Sequence, residues 1–522
     1  MRTLVLFLLV VIAGNTSAQM YDNVWMWGNY PQYQDTAPFP HYGNALGQFV
    51  NDTFESKPKA LLLPFSECNT NICDANGNLL FYTNGMRIFD STSTLIENGD
   101  SINYGDAWEH FEHDYTPGAF GMKISSGLFI VKEPGADSAY IIIHILNDSL
   151  TPGYFDGRVC YSRVVQKTNG QFKITDKNIS FSNAHPVPGN MAMCKHGNGR
   201  DWWIVFVEYN TNCYYKYLLQ PDTIEFVSMQ CAGDPIMQIP YGDLGICKFS
   251  LDGTKFLKQS AFSDLDVFDF DRCTGELSNL IEIPAFILYN DIGEPAVWTS
   301  TADFSVDNRL FYASTGYCLV QWDLTAADVL ASIDTVAYYD SFLDTVVDKT
   351  GSYFFRYLSQ YGPDGKIYFA SGGVRFYSTI ENPNGRGDSC RYQSRNIVLP
   401  KFSNATISQF PNYRLGRLVG SACDTVYSDV KPIYKDAPWL KVYPNPATDN
   451  VRLEYNWVEW EKISDCEFRI ADLEGRIVLQ QKVPRYSTRQ EFSVKGLSAG
   501  VYTVAITDGE KKIAVCKLTK VE

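Results

Sequence analysis

One arrangement recurs along the middle of this chain: a turn carrying Gly or Asn, then a strand of aromatic and aliphatic residues. It reads Asp74-Ala-Asn-Gly77 before Asn-Leu-Leu-Phe-Tyr82, and Glu133-Pro-Gly135 before Ala139-Tyr-Ile-Ile-Ile143. It returns at Gly197-Asn-Gly199, Ser250-Leu-Asp-Gly253, Ser305-Val-Asp-Asn308 and Gly362-Pro-Asp-Gly365, each time ahead of an apolar strand. Taking Gly77, Gly135, Gly199, Gly253, Asn308 and Gly365 as markers, the intervals are 58, 64, 54, 55 and 57 residues. Asp-Gly and Asn-Gly suit the turns that join twisted antiparallel strands. A single small sheet cannot bury both its faces, so units of this size pack around an axis. The period therefore predicts an all-β fold, a β-propeller. Six marked repeats plus segments 20–70 and 380–420 leave room for one more blade. About seven blades are expected, with strands from both ends closing the ring, and six as the alternative. Asp252, Asp307 and Asp364 fall at equivalent turn positions and read as hairpin-fixing residues. No long helix is expected.

Composition agrees and excludes some partners. Aromatic residues make up 14% of the chain, with 33 Tyr and 32 Phe, and such residues favour strands. The formal net charge is −15, with no Lys/Arg-rich block. That argues against nucleic acid and anionic membrane surfaces, which need a basic footprint. The 13 cysteines are odd in number, so at least one thiol should stay free in an oxidising compartment. Cys68 and Cys73 flank a short turn and are placed to close a local loop; Cys466 and Cys516 share the C-terminal region. With no C-x-x-C and only six His, a structural zinc site is not expected.

The two ends read differently from the middle. Arg2, the apolar run Leu4 to Ala13 and the small residues Thr16-Ser17-Ala18 form a secretory signal pattern, with Gln19 as the first mature residue. No later stretch approaches 18 consecutive apolar residues, so no membrane span is expected. At the other end, about seven short strands between Leu440 and Lys517 suit an immunoglobulin-like sandwich. The expected organisation is a signal peptide at 1–18, a propeller at 19–423, a linker at 424–438 and a β-sandwich at 439–522.

Particular residues of that last region carry a resemblance: Tyr443-Pro444-Asn445-Pro446, then Asp472-Leu-Glu-Gly475 followed by Arg476 and Val478, then Leu497, Gly500 and Tyr502. The region resembles the type A C-terminal sorting domain of the type IX secretion system of Bacteroidetes. The resemblance implies the secretion machinery as a partner, passage through the periplasm and across the outer membrane, and removal of this domain on export. Two further stretches, Asn78 to Gly85 with Arg87-Ile-Phe89, and Ile380 to Gly385 with Cys390 and Leu399-Pro-Lys-Phe402, resemble large secreted Bacteroidetes propeller proteins that commonly carry this domain. Family members more often place a Gly before the Leu-Pro, where this chain has Val398.

Candidate chemistry is sparse. Glu109, His110, Glu112, His113 and Asp114 are the densest ionisable cluster, but Pro117 and Gly118 suggest a solvated loop. Asp264, Asp266, Asp269 and Asp271 alternate along a strand and read as blade-surface and turn residues rather than a calcium loop. No nucleophile elbow, phosphate loop or dinucleotide fingerprint is present. No catalytic, cofactor-binding or metal-ligating residue is assigned. Arg386-Gly387-Asp388 is a candidate adhesion motif, set in a loop the propeller pattern already explains. Asp followed by Ser or Thr and an apolar residue recurs, among other places at Asp35-Thr36-Ala37, Asp137-Ser138-Ala139, Asp148-Ser149-Leu150, Asp222-Thr223-Ile224, Asp334-Thr335-Val336, Asp344-Thr345-Val346 and Asp424-Thr425-Val426. It resembles the Bacteroidetes O-glycosylation acceptor pattern, and equally marks strand starts after turns. The sequence thus favours a secreted or surface-attached binding module for an unknown glycan or protein. The alternative is a propeller enzyme acting on polysaccharide, as a hydrolase or lyase.

Overall fold

The computed structural model describes all residues except 1–18, 30–39, 66–67, 115–120, 123–126, 148–156, 234, 236–244, 260–263, 285–298, 316–317, 346–351, 354–357, 405, 425–438, 457–465, 484–488, 509–510 and 522. The signal pattern, almost all of the linker, Asp35-Thr36-Ala37 and Asp148-Ser149-Leu150 lie outside the described residues.

Residues 24–404 form seven antiparallel sheets that follow one another along the chain. The first and second have three strands, within 24–58 and 70–90; the other five have four each, within 128–180, 186–231, 246–283, 299–338 and 358–404. A two-stranded ladder at Leu343–Asp344 and Ser352–Tyr353 precedes the last. Each sheet is a meander of neighbouring strands. The second strand of a blade is covered on both faces, so it reads as a continuous apolar run: in Trp202–Glu208 only the last residue is not fully buried. Outer strands, such as Thr223–Cys231, are largely exposed.

Side-chain clusters close these sheets into a ring. Met26 and Phe65 meet Tyr82 between blades one and two. Phe81 meets Tyr140 and Phe172 at 5.3 and 5.1 Å between two and three. Ile141 and Val159 share a core with Met193 and Phe206 between three and four. Tyr214 packs edge-on to Phe268 at 5.2 Å between four and five. Leu257 and Val267 meet Phe311 and Trp322 between five and six, and Tyr312 meets Phe369 between six and seven. Trp25 against Tyr368 at 5.1 Å and Trp27 against Tyr377 at 5.9 Å return blade seven to blade one. The fold is a seven-bladed propeller.

All six sequence markers have positive φ, between 58° and 83°. Each lies in the turn from the innermost strand of blades two to seven to the next strand. Asp252 accepts hydrogen bonds from Ser250 Oγ and Thr254 N across its turn, and Asp307 accepts from Ser305 Oγ and Arg309 N. Blade one has no such marker because its inner side is met by the other end of the chain. Trp27 Nε1 donates to Lys401 O at 3.1 Å and Met26 N to Ser408 Oγ at 3.1 Å. Closure therefore joins both ends, with residues 406–410 contributing irregular backbone rather than a strand.

The structure corrects three expectations. Asp266 is not a blade-surface residue. It lies opposite Lys258 in the ladder, both side chains are fully buried, and Lys258 Nζ reaches Asp266 Oδ2 at 2.6 Å while Tyr214 OH donates to the same oxygen at 3.0 Å. Burial raises the Asp266 pKa, with Lys258 acting in the opposite direction. Lys258→Met is expected to cost about 3–5 kcal/mol, since it leaves a buried carboxylate uncompensated. Lys258→Met with Asp266→Leu should recover most of that in urea unfolding, and a double variant no better than the single would contradict the assignment. Second, Glu109 to Asp114 is not a loop: Asp106–Glu109 is one helical turn continued by wider π turns over His110–Asp114. Third, Cys68 and Cys73 do not pair. Residues 70–73 run as an extended strand, which carries Cys73 away from the residues that precede it. The disulfides are Cys213–Cys231 and Cys273–Cys423.

The C-terminal strands form two sheets around their own core. Trp439–Tyr443, Asn450–Asn456 and Arg489–Ser493 make one; Ile477–Lys482, Cys466–Ala471, Gly500–Asp508 and Lys511–Lys520 make the other. Leu453, Phe468, Val504 and Leu518 are buried between them, as in an immunoglobulin-like sandwich. Cys466 and Cys516 are not joined by a disulfide, and their strands are separated by an intervening strand.

Candidate functional site

The innermost strands of blades two to seven are Thr70–Cys73, Leu128–Lys132, Pro186–Lys195, Ile246–Phe249, Thr299–Phe304 and Leu358–Tyr361. Two residues before each first turn stands an equivalent position. In blades two to four it holds Ile72, Val131 and Cys194; in blades five to seven it holds Lys248, Asp303 and Gln360. Three consecutive blades therefore carry an apolar residue at this position and the next three a polar one. A polar residue here is costly unless paired, and Lys248 and Asp303 are tied with Ser359 of blade seven into a network across three blades. Lys248 Nζ reaches Asp303 Oδ2 at 2.6 Å and the Ser359 carbonyl and hydroxyl at 2.8 Å each. Ser359 Oγ donates to Asp303 Oδ2 at 2.5 Å and lies 2.8 Å from Thr301 Oγ1. Burial pushes the Lys248 ammonium pKa down, and the Asp303 carboxylate pulls it up again.

A cavity of about 200 Å³ lies against this half-ring. Lys248, Asp303 and Gln360 line it, with Phe129 and Phe249 on the inner strands. Asp22 and Ala192 to Cys194 also face it, and another part of its wall is the chain leaving blade seven, Gln409 to Asn412 with Arg414 and Leu415. That strap is held from many sides. Arg414 makes a bidentate ion pair with Asp22, both contacts 2.6 Å. Tyr413 OH donates to Ile130 O at 2.5 Å, and Asn412 Nδ2 to Leu251 O at 2.6 Å. Lys195 Nζ donates to Tyr413 O at 2.9 Å; burial, aided by nearby Arg272, pushes the Lys195 pKa down to about 8. Farther on, Arg272 Nη2 donates to Gly416 O at 2.6 Å, Leu418 N to Gly197 O at 2.7 Å, and Cys423 joins Cys273. Gly197 makes room for that bond: a Cβ there would lie 2.3 Å from Cys423 Sγ.

The residues singled out in the sequence lie elsewhere. Asn445 is a clamp, its Nδ2 donating to Lys517 O at 2.7 Å and its Oδ1 accepting from Thr519 N at 2.8 Å. Tyr443–Pro444 and Asn445–Pro446 are cis peptides. Tyr502 pairs with Leu518 in the same ladder and donates its hydroxyl to Ser498 O at 2.8 Å; Gly500 pairs with Lys520, and Leu497 packs on the sandwich core. Gly475 takes φ +81° in the turn that follows Ala471, and Ala471 pairs with Thr503. The register thus gathers Asn445, Gly475, Gly500 and Tyr502 at one end of the sandwich.

Arg386 and Asp388 are exposed, but Arg386 is held down on blade six. Its Nη2 donates to Ser332 O at 2.9 Å, its Nη1 lies 3.5 Å from Asp323, and Gly387 N donates to Gln321 Oε1 at 3.0 Å. Glu112 is a bidentate partner of Arg87, and His113 lies 3.4 Å from Glu109. Described copies of the Asp-Ser/Thr-apolar pattern include Asp137, Asp222 and Asp334, and each lies at the beginning of a strand. Among the described residues no helix is long and apolar enough to cross a membrane.

The family model for a secretion system C-terminal sorting domain matches residues 441–520. No curated protein matches the chain. Among solved structures, a protein from Bacteroides uniformis provisionally described as a 6-phosphogluconolactonase is 11% identical, with 74% of this chain and 98% of that one covered and a TM-score of 0.43. The periplasmic gluconolactonase PpgL of Pseudomonas aeruginosa is 11% identical, with coverage of 74% and 98% and a TM-score of 0.40. The Dos1 propeller is 10% identical, with coverage of 72% and 88% and a TM-score of 0.38. At that level of likeness they say nothing about activity here.

Proposed function

We propose that this chain is an exported propeller that binds its ligand without altering it chemically. The C-terminal domain is a type IX sorting domain and directs the chain across the outer membrane to the cell surface or the medium. The reading assigns residues 1–18 to a cleaved leader, 19–423 to the ring, 424–438 to a linker and 439–522 to the sorting domain, with Tyr443, Asn445, Gly475 and Tyr502 belonging to the sorting surface. Arg386-Gly387-Asp388 takes no part, because Arg386 is engaged within the ring.

One observation carries the binding reading: Lys248, Asp303 and Ser359 are already engaged with one another. The Ser359 hydroxyl is spent on Asp303, and the Lys248 ammonium on Asp303 and Ser359. A nucleophile needs a base free to take its proton, and the carboxylate oxygen that accepts from Ser359 is already ion-paired with Lys248. The polysaccharide hydrolase or lyase reading draws on the same cluster, because it is asymmetric where the repeat is symmetric. The test is to incubate the purified exported protein with host and bacterial polysaccharides. Retention on an immobilised glycan or protein, with no new reducing ends or unsaturated sugars, is expected. Turnover that survives repurification and disappears in Asp303→Asn would establish the enzyme.

A further inference from the structure

The axial cavity has a chemistry of its own, and a ligand for it rests on the binding reading. Its walls carry charge in compensated pairs: Lys248 with Asp303, and Arg414 with Asp22. An ionic ligand would have to break one of those pairs, whereas a neutral one leaves both intact. Two polar groups nonetheless retain capacity. Asp303 spends Oδ2 on Lys248 and Ser359, while its Oδ1 has no hydrogen bond among the described residues and is not among the sealed, unpartnered atoms. The Gln360 amide makes two long contacts of 3.4 Å each, one to Phe410 N and one to Tyr361 O. A carboxylate oxygen beside a loosely held amide offers acceptors and a donor to neighbouring hydroxyl groups. Phe129, Phe249 and Phe410 give the cavity apolar faces. The cavity, about 200 Å³ and partly open to solvent, has room for one small ring.

We propose that this cavity binds a single neutral, polyhydroxylated molecule the size of a monosaccharide, with Asp303 and Gln360 taking its hydroxyls and the phenylalanines its C–H face. The polar half-ring is then a binding edge, which explains why three adjacent blades abandon the apolar residue that the repeat otherwise places there.

The experiment titrates the full exported chain with neutral hexoses and pentitols, and with glucuronate, glucosamine and glucose 6-phosphate, by saturation-transfer NMR and calorimetry. Binding of a neutral member in preference to the three ionic sugars is expected. Gln360→Leu, a cavity-wall change with little to lose from the fold, should weaken it by about tenfold, the effect of losing a ligand hydrogen bond. Lys248→Met with Asp303→Leu keeps the charge balance and should also abolish binding. No saturable neutral sugar, tighter binding of an ionic sugar, or unchanged affinity in Gln360→Leu overturns the assignment. If the chain still retains a polysaccharide or protein while any of these holds, only the axial site fails. If it retains nothing, the binding reading fails with it.

Discussion

A chain truncated before residue 440 accumulates in the periplasm and is missing from the cell surface and the medium. This is the largest effect expected for any change to the protein, because it is all or none. The sorting domain has a core of its own, with Leu453, Phe468, Ile470, Val504 and Leu518 fully buried in it. The ring has seven interfaces that use none of those residues. Truncation should therefore spare the ring's packing and remove only the address. Fractionation with immunoblotting checks both halves: soluble, protease-resistant protein in the periplasm, none outside. Truncated protein in the medium would refute the assignment of export to this domain. Asn445→Ala is the graded version. It removes two hydrogen bonds that hold the last strand at Lys517 and Thr519, worth roughly 1–2 kcal/mol between them given their exposure. Partial export is expected from it, since the motif residues share one end of the sandwich and that end loosens.

The ring was legible because its first turns obey a local rule. A hairpin that needs φ > 0 selects Gly or Asn, so Gly77, Gly199, Gly253, Asn308 and Gly365 mark their blades without tertiary information. Blade one, expected from segments 20–70 and 380–420, carries no marker because its inner side is met by residues 406–410, hundreds of positions away, and no local turn is required there. The cysteines failed for the same reason. Proximity in sequence favoured Cys68 with Cys73, but a strand carries its ends apart, while Cys273 and Cys423 meet only because the strap crosses the ring. The axial residues were missed differently. A lone Lys, Asp or Gln in a strand looks like a solvent-facing residue. Only alignment on the turns shows Ile72, Val131 and Cys194 giving way to Lys248, Asp303 and Gln360. Asp266 shows how the same alternation misleads: it pairs with Lys258 between two blades, where a strand has no solvent face.

The Cys273–Cys423 bond should prove worth more to the ring than Cys213–Cys231. It joins residues 150 apart, against 18 for the other. Loop-closure entropy gives about 5 kcal/mol for the first as a ceiling and about 3 kcal/mol for the second. Position adds to length. Cys213 and Cys231 face each other across neighbouring strands of one blade, already joined by a ladder. Cys423 lies where the chain leaves the ring, after a strap whose other fastenings are hydrogen bonds and the Arg414–Asp22 pair. In a chain lacking the sorting domain, that strap would be close to a free end, and free ends fray. The covalent bond holds it in register against the axis and against blade one. Cys273→Ser with Cys423→Ser should therefore lower the unfolding midpoint in urea more than Cys213→Ser with Cys231→Ser. Amide exchange should rise first over residues 406–424, then in blade one, while the inner strands of blades three to five stay protected. Equal shifts for the two pairs, or exchange that rises uniformly around the ring, would mean that the aromatic packing of Trp25 and Trp27 on Tyr368 and Tyr377 closes the propeller unaided.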